Sequence, residues 1–135
     1  HGDGGYMVIL QVPNAQAERA RITGMGIRAV AQKDLPEYQY THFHPSDTSG
    51  VLLSIDQTIA PAGTDPALWW PPAEKDWLKH ARSDVTNGLG GVEIQAADPD
   101  KAAAHWAKLL DRPVQDDIIR LDDDAEIRDL LKAGR

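Results

Sequence analysis

The chain contains no cysteine, which removes disulfides, thiolate metal ligands and a cysteine nucleophile together and fits a reducing compartment. Basic charge is scarce and scattered: 14 Lys and Arg stand against 21 Asp and Glu, for a formal net charge of −7. A nucleic-acid partner needs a clustered basic face to neutralise phosphates, so this balance argues against one. No apolar run approaches the ~20 residues of a membrane span. The opening HGDGGYMVILQV also lacks the basic start and long apolar stretch of a signal peptide. These absences lead to the expectation of a cytoplasmic protein with neither a nucleic acid nor a membrane as partner. Only the leader HGDGG precedes the first strand-like segment, which suggests a module cut from, or paired with, something larger.

What is present is a pattern that recurs. Residues 7–30, MVILQVPNAQAERARITGMGIRAV, lie over residues 91–114, GVEIQAADPDKAAAHWAKLLDRPV, without a gap. Val8 meets Val92, Leu10 meets Ile94, Gln11 meets Gln95, Asn14 meets Asp98, Arg28 meets Arg112 and Val30 meets Val114. The shared pattern is an alternating strand, a helix cap, a helix and a turn into another strand. Asn14 caps the first helix, and Asp98 followed by Pro99 caps the second, where the missing proline N–H costs nothing. Ala102, Trp106, Leu109 and Leu110 form an apolar stripe on the second helix, with Lys101 and Lys108 on the solvent side.

Gly24 and Gly26 stop the first helix. IRAVAQ, YQYTHFH and GVLLSID then read as three further strands, the last two joined by PSDTSG. The first half is thus β-α-β-β-β. After the second helix come RPVQ, DIIRLD and AEIRDL, short strands between acidic turns. The acidic runs at 116–117 and 122–124 lack the glycine and spacing of a calcium loop and read as solvated turns. The expected fold class is α+β: tandem β-α-β-β-β modules forming a curved mixed sheet around a cleft, the second module short. The expected organisation is a first module over 1–57, a Pro- and Trp-rich connector over 58–89 with a short helix near Glu74 to Arg82, and a trimmed second module over 90–135. A trimmed module leaves sheet edges that need cover, which points to a homodimer.

Strand four of the first module carries a V-L-x-x-x-D pattern within FHPSDTSGVLLSID, and DPDKAAAHWAKLLDRPV opens the second helix with an HW pair. With the tandem modules, these segments resemble the vicinal oxygen chelate superfamily, which includes glyoxalases, extradiol dioxygenases, methylmalonyl-CoA epimerases and bleomycin-resistance proteins. The resemblance covers nearly the whole chain. It implies ligands for a divalent metal on the first and last strands of each module, facing a shared cavity. Carried over residue by residue, those positions are Met7, Gly91, Ser54 and Arg128. A thioether, a glycine, a neutral hydroxyl and a guanidinium do not make a site for a hard divalent cation.

The expected function is therefore a glyoxalase- or bleomycin-resistance-like protein that binds a small organic molecule without a metal or other cofactor. Gln11 and Gln95 are pseudo-symmetric partners for such a ligand, joined by Ser54, Met7 and Arg128. Trp69 and Trp70, in a connector that two prolines keep from being helical throughout, would lid the pocket or plug an interface. Glu93 is the candidate general base, since a buried carboxylate can have a raised pKa. The alternative is a metal-dependent lyase, isomerase or dioxygenase whose divalent metal is held in a shifted register by His42, His44, Glu93 and Glu126. His42 and His44 lie two apart on a strand, which projects both to one face. A third possibility is one piece of a longer multi-module protein, inactive alone.

Overall fold

The structure is a computed structural model and describes residues 5–65, 68–73, 77–82, 84–85, 91–115 and 118–119. The chain divides into two compact units, His1–Ile94 and Gln95–Arg135. It is α+β, with a four-stranded mixed sheet and two α-helices among the described residues.

The first unit runs β1 (Val8–Gln11), α1 (Ala15–Gly24), β2 (Ala29–Asp34), β3 (Tyr38–Phe43) and β4 (Leu53–Thr58). Its sheet order is β1-β4-β3-β2 and the sheet is open. β1 pairs with β4 in parallel, from Val8 opposite Leu53 to Gln11 opposite Asp56. β3 is antiparallel to both β4 and β2, with a bulge between Ala29 and Ala31. A parallel pair needs a crossover between its strands, and α1 begins that crossover.

Alternation along the strands divides the sheet into two faces. One carries Thr41, Phe43, Leu53 and Ile55, all buried, and α1 packs on it against β3 and β4. The helix starts where Asn14 accepts from the Ala17 N–H at 3.0 Å, and the Ala15 N–H is taken by the Gln57 side chain of β4, also at 3.0 Å. Two of the first-turn donors that a helix leaves unpaired are thus satisfied, one of them by the sheet. Arg19, midway along α1, ties the helix to the sheet, donating from Nε to Thr41 at 2.7 Å and from its two terminal nitrogens to Asp34 at 3.0 and 2.6 Å. That guanidinium keeps Asp34 below the usual carboxylate range.

The β3–β4 connection is a 3-10 turn at Pro45–Asp47, capped by His44. Arg28 grips Asp47 through Nε at 2.7 Å, a terminal nitrogen at 2.8 Å and its own N–H at 3.0 Å. Gly50, at φ +88°, then turns the chain through the left-handed region into β4.

In the second unit, α2 (Pro99–Leu110) packs against the short antiparallel pair β5 (Val114–Gln115) and β6 (Ile118–Ile119). Asp98 caps it by accepting from the Lys101 N–H at 3.1 Å, and Pro99 occupies the first turn. Of the expected stripe, Trp106 and Leu109 are buried, while Ala102 and Leu110 are half-buried and Lys101 and Lys108 exposed.

Two expectations are corrected. Residues 91–96, read as a strand, are irregular, and Val92 is exposed. An alternating pattern becomes a strand only where a neighbour takes its backbone hydrogen bonds, and among the described residues this segment has none. The correspondence of 7–30 with 91–114 thus extends to the capped helices and not to the strands before them. Of the short helix expected near Glu74 to Arg82, the described residues form a 3-10 turn, Trp77–His80. The strand read in AEIRDL lies outside the described residues.

Candidate functional site

The sheet face opposite α1 follows from the same register. From β1 it takes Ile9 and Gln11, from β4 Ser54 and Asp56, and from β3 Tyr38, Tyr40 and His42. Gln11 stands beside Asp56, Ile9 beside Ser54, His42 beside Ser54, and Tyr40 beside Asp56. This face belongs wholly to the first unit. It is polar at its centre and aromatic along β3.

Asp56 is the residue around which the others are arranged. It lies on the side of the sheet away from α1, yet it is only 1% exposed and Ser54 is fully buried. The Ser54 hydroxyl donates to one carboxylate oxygen and the Tyr38 hydroxyl to the other. Tyr38 reaches it diagonally, since its own partner in the ladder is Thr58. Burial, and then the bond to Asp56, push the Tyr38 phenol well above its usual range, so it acts as a neutral donor. No cationic side chain pairs with Asp56 among the described residues.

Above this centre the aromatic rings form a row. Tyr38 and Tyr40 have centroids 5.7 Å apart with planes at 35°, and Tyr40 lies 4.6 Å from the His42 ring at 31°. Trp70, from the connector, meets Tyr38 edge-on at 5.7 Å and 78°. All four side chains are half-buried. Trp77 braces the connector by donating from its indole to the Leu68 carbonyl at 3.2 Å. The neighbouring Trp69 has a buried indole N–H without an acceptor.

The residues singled out from sequence separate accordingly. Ser54, Gln11, His42 and Trp70 are brought to this face, and Met7, half-buried just before β1, adjoins it in the alternation. His44 lies beyond the end of β3, where its Nδ1 accepts from the Ser46 N–H at 3.1 Å and caps the 3-10 turn. It therefore does not continue the strand alternation from His42. Glu93 is exposed at the end of the first unit, and Gln95 is exposed in the second. Gly91 brings no side chain. Glu126 and Arg128 lie outside the described residues.

Tyr38, Tyr40 and Asp56 were missed. Asp56 ends the V-L-x-x-x-D pattern two residues after Ser54, and Tyr38 and Tyr40 precede His42 at the same spacing of two. Extending that alternation from Ser54 and His42 would have found all three.

The donor chemistry at the first module's expected metal positions does not suit a divalent ion. The Ser54 hydroxyl is already committed to Asp56, and Met7 offers a thioether. No group of three or more His, Asp or Glu gathers among the described residues. What the arrangement offers is a row of rings beside a buried carboxylate whose oxygens are both hydrogen-bonded.

Comparison with protein-family models, with curated proteins and with solved structures finds no match for this chain.

Proposed function

We propose that this chain is a small-molecule-binding protein of the vicinal oxygen chelate type, holding a ring-bearing organic ligand on the face of the β1-β4-β3-β2 sheet opposite α1, without a metal. The observation that carries this reading is the pairing of Trp70, Tyr38, Tyr40 and His42 with the buried Asp56 on a face that α1 does not cover. Half-buried aromatic side chains supply contact area, and a few fixed polar groups orient what lies on them. The β-α-β-β-β order of the first unit, with β1 parallel to β4, supports the superfamily assignment. In this reading residues 90–135 are a shortened counterpart of the first module, and the protein works as a homodimer.

The test is a titration of metal-depleted protein with a panel of planar aromatic and sugar-bearing molecules, including bleomycin, followed by tryptophan fluorescence and ring NMR signals. Saturable binding that moves Trp70 and Tyr40 supports the proposal; a flat response to the whole panel sinks it. Elemental analysis of protein purified without chelator decides the competing case. A stoichiometric divalent metal that is lost in His44→Ala would favour a metal-dependent lyase, isomerase or dioxygenase.

A further inference from the structure

Among the described residues no cationic side chain meets the Asp56 carboxylate, although it is only 1% exposed. Two hydroxyl donors satisfy its lone pairs and spread the charge, but they do not cancel it. Two arginines of the same unit are engaged elsewhere: Arg19 with Asp34 and Thr41 on the helix side, Arg28 with Asp47 at the turn. Lys33 shares the aromatic face, opposite Tyr40 on the edge strand, but it is exposed and makes no ion pair among the described residues. The field of Asp56 is therefore left to whatever occupies the rings above it.

Those rings favour the same charge. An aromatic face is the negative pole of a quadrupole and attracts a cation within about 6 Å of its centroid. Trp70 and Tyr38 stand nearly perpendicular, at 78°, and Tyr40 continues the wall at 5.7 Å from Tyr38. Two walls at a right angle make a corner that suits a compact, methylated head better than a flat ring system.

We infer that the site takes an organic cation, an alkylated or quaternary ammonium group seated against Trp70, Tyr38 and Tyr40 over Asp56. This rests on the reading of that face as a small-molecule site and specifies the charge of the ligand. A neutral group of the same shape gains the ring contacts but nothing from Asp56. The charge on Asp56 is therefore the discriminating element and the rings are the general one.

The probes are choline and its neutral isostere, in which carbon replaces the nitrogen, titrated into the intact chain while ring and backbone NMR signals are followed. Choline should saturate and shift Tyr38, Tyr40 and Trp70, with the neutral isostere about tenfold weaker. Asp56→Asn should abolish that preference, and Tyr40→Leu should weaken choline while keeping apolar area. Lys33→Gln, which removes a like charge from the face, should tighten choline by about twofold. Should Asp56→Asn fail to fold, the isostere comparison and Tyr40→Leu still decide. Equal binding of both probes to the unaltered chain overturns the inference. So does silence toward choline when a neutral molecule from the panel moves the same rings, an outcome that leaves small-molecule binding standing. If neither choline nor any panel member moves these rings, both readings fall.

Discussion

Asp56 and Tyr38 show how one buried charge constrains its neighbours. Removing the phenol hydroxyl leaves a carboxylate oxygen at 1% residue exposure without its donor. An unsatisfied buried acceptor of this kind costs about 1–3 kcal/mol. Tyr38→Phe should therefore lower the unfolding free energy by about 2 kcal/mol in a urea titration, whereas Tyr6→Phe, at a residue 82% exposed, should not change it. The phenol also sets an alkaline limit. Its folded pKa is raised above the ordinary phenol value of 10.0, so its contribution is complete below about pH 10 and is lost as the pH climbs through the folded value. The steepening loss of stability above that point should be absent in Tyr38→Phe. A second linkage runs the other way. Arg28 holds Asp47 well below the ordinary carboxylate value of 3.8, so that pair contributes above about pH 3.8 and fades as the pH falls further. Asp47→Asn should depress Tm at neutral pH, and the difference from the parent chain should shrink on acidification.

At the scale of elements, the turn into β4 rests on backbone conformation. Gly50 sits at φ +88° and a Cβ there would meet nothing within 4 Å, so Gly50→Ala tests conformation alone. It should cost about 1 kcal/mol, measured by thermal or urea unfolding. The elements legible in the sequence are those with a local cause. Asn14 and Asp98 announce both helices because a capping side chain acts within three residues of itself. YQYTHFH and GVLLSID are legible through their alternation, and the helical stripe through Trp106 and Leu109. Residues 91–96 carry as good an alternating pattern as β1, yet β1 is a strand because β4 receives it, and the other segment has no such partner among the described residues. That distinction belongs to the tertiary fold. The site divides in the same way. Ser54, His42 and Trp70 could each be picked out singly. Their assembly around Asp56 depends on a register in which Tyr40 faces Asp56 and His42 faces Ser54, and a single chain does not display that register.

For the molecule as a whole, the open sheet has two edges, and β2 is exposed along its entire length, with Val30 52% exposed. Ile9 on β1, the opposite edge, is 47% exposed. Uncovered edges with apolar side chains invite pairing. Sedimentation equilibrium should accordingly return twice the 14.8 kDa chain mass, and a concentration-independent value of one chain mass would remove the dimer from the proposal. The parallel pairing of β1 with β4 also has a kinetic consequence. β2, β3 and β4 can assemble by neighbouring antiparallel contacts. β1, in contrast, finds its place only after the whole stretch from Val8 to Leu53 has been laid down. Long loop closures come late because their entropy is lost before any contact compensates it. β1 should be the last strand to join and the first to leave. In native-state hydrogen exchange, the amides of Val8 and Val12, which donate to the Leu52 and Asp56 carbonyls, should open at lower free energy than those of Thr41 and Phe43. Gln11 and Ile9 would leave with β1, so the same opening would strip one side from the sheet face that carries Asp56 and the β3 rings, which stay in place.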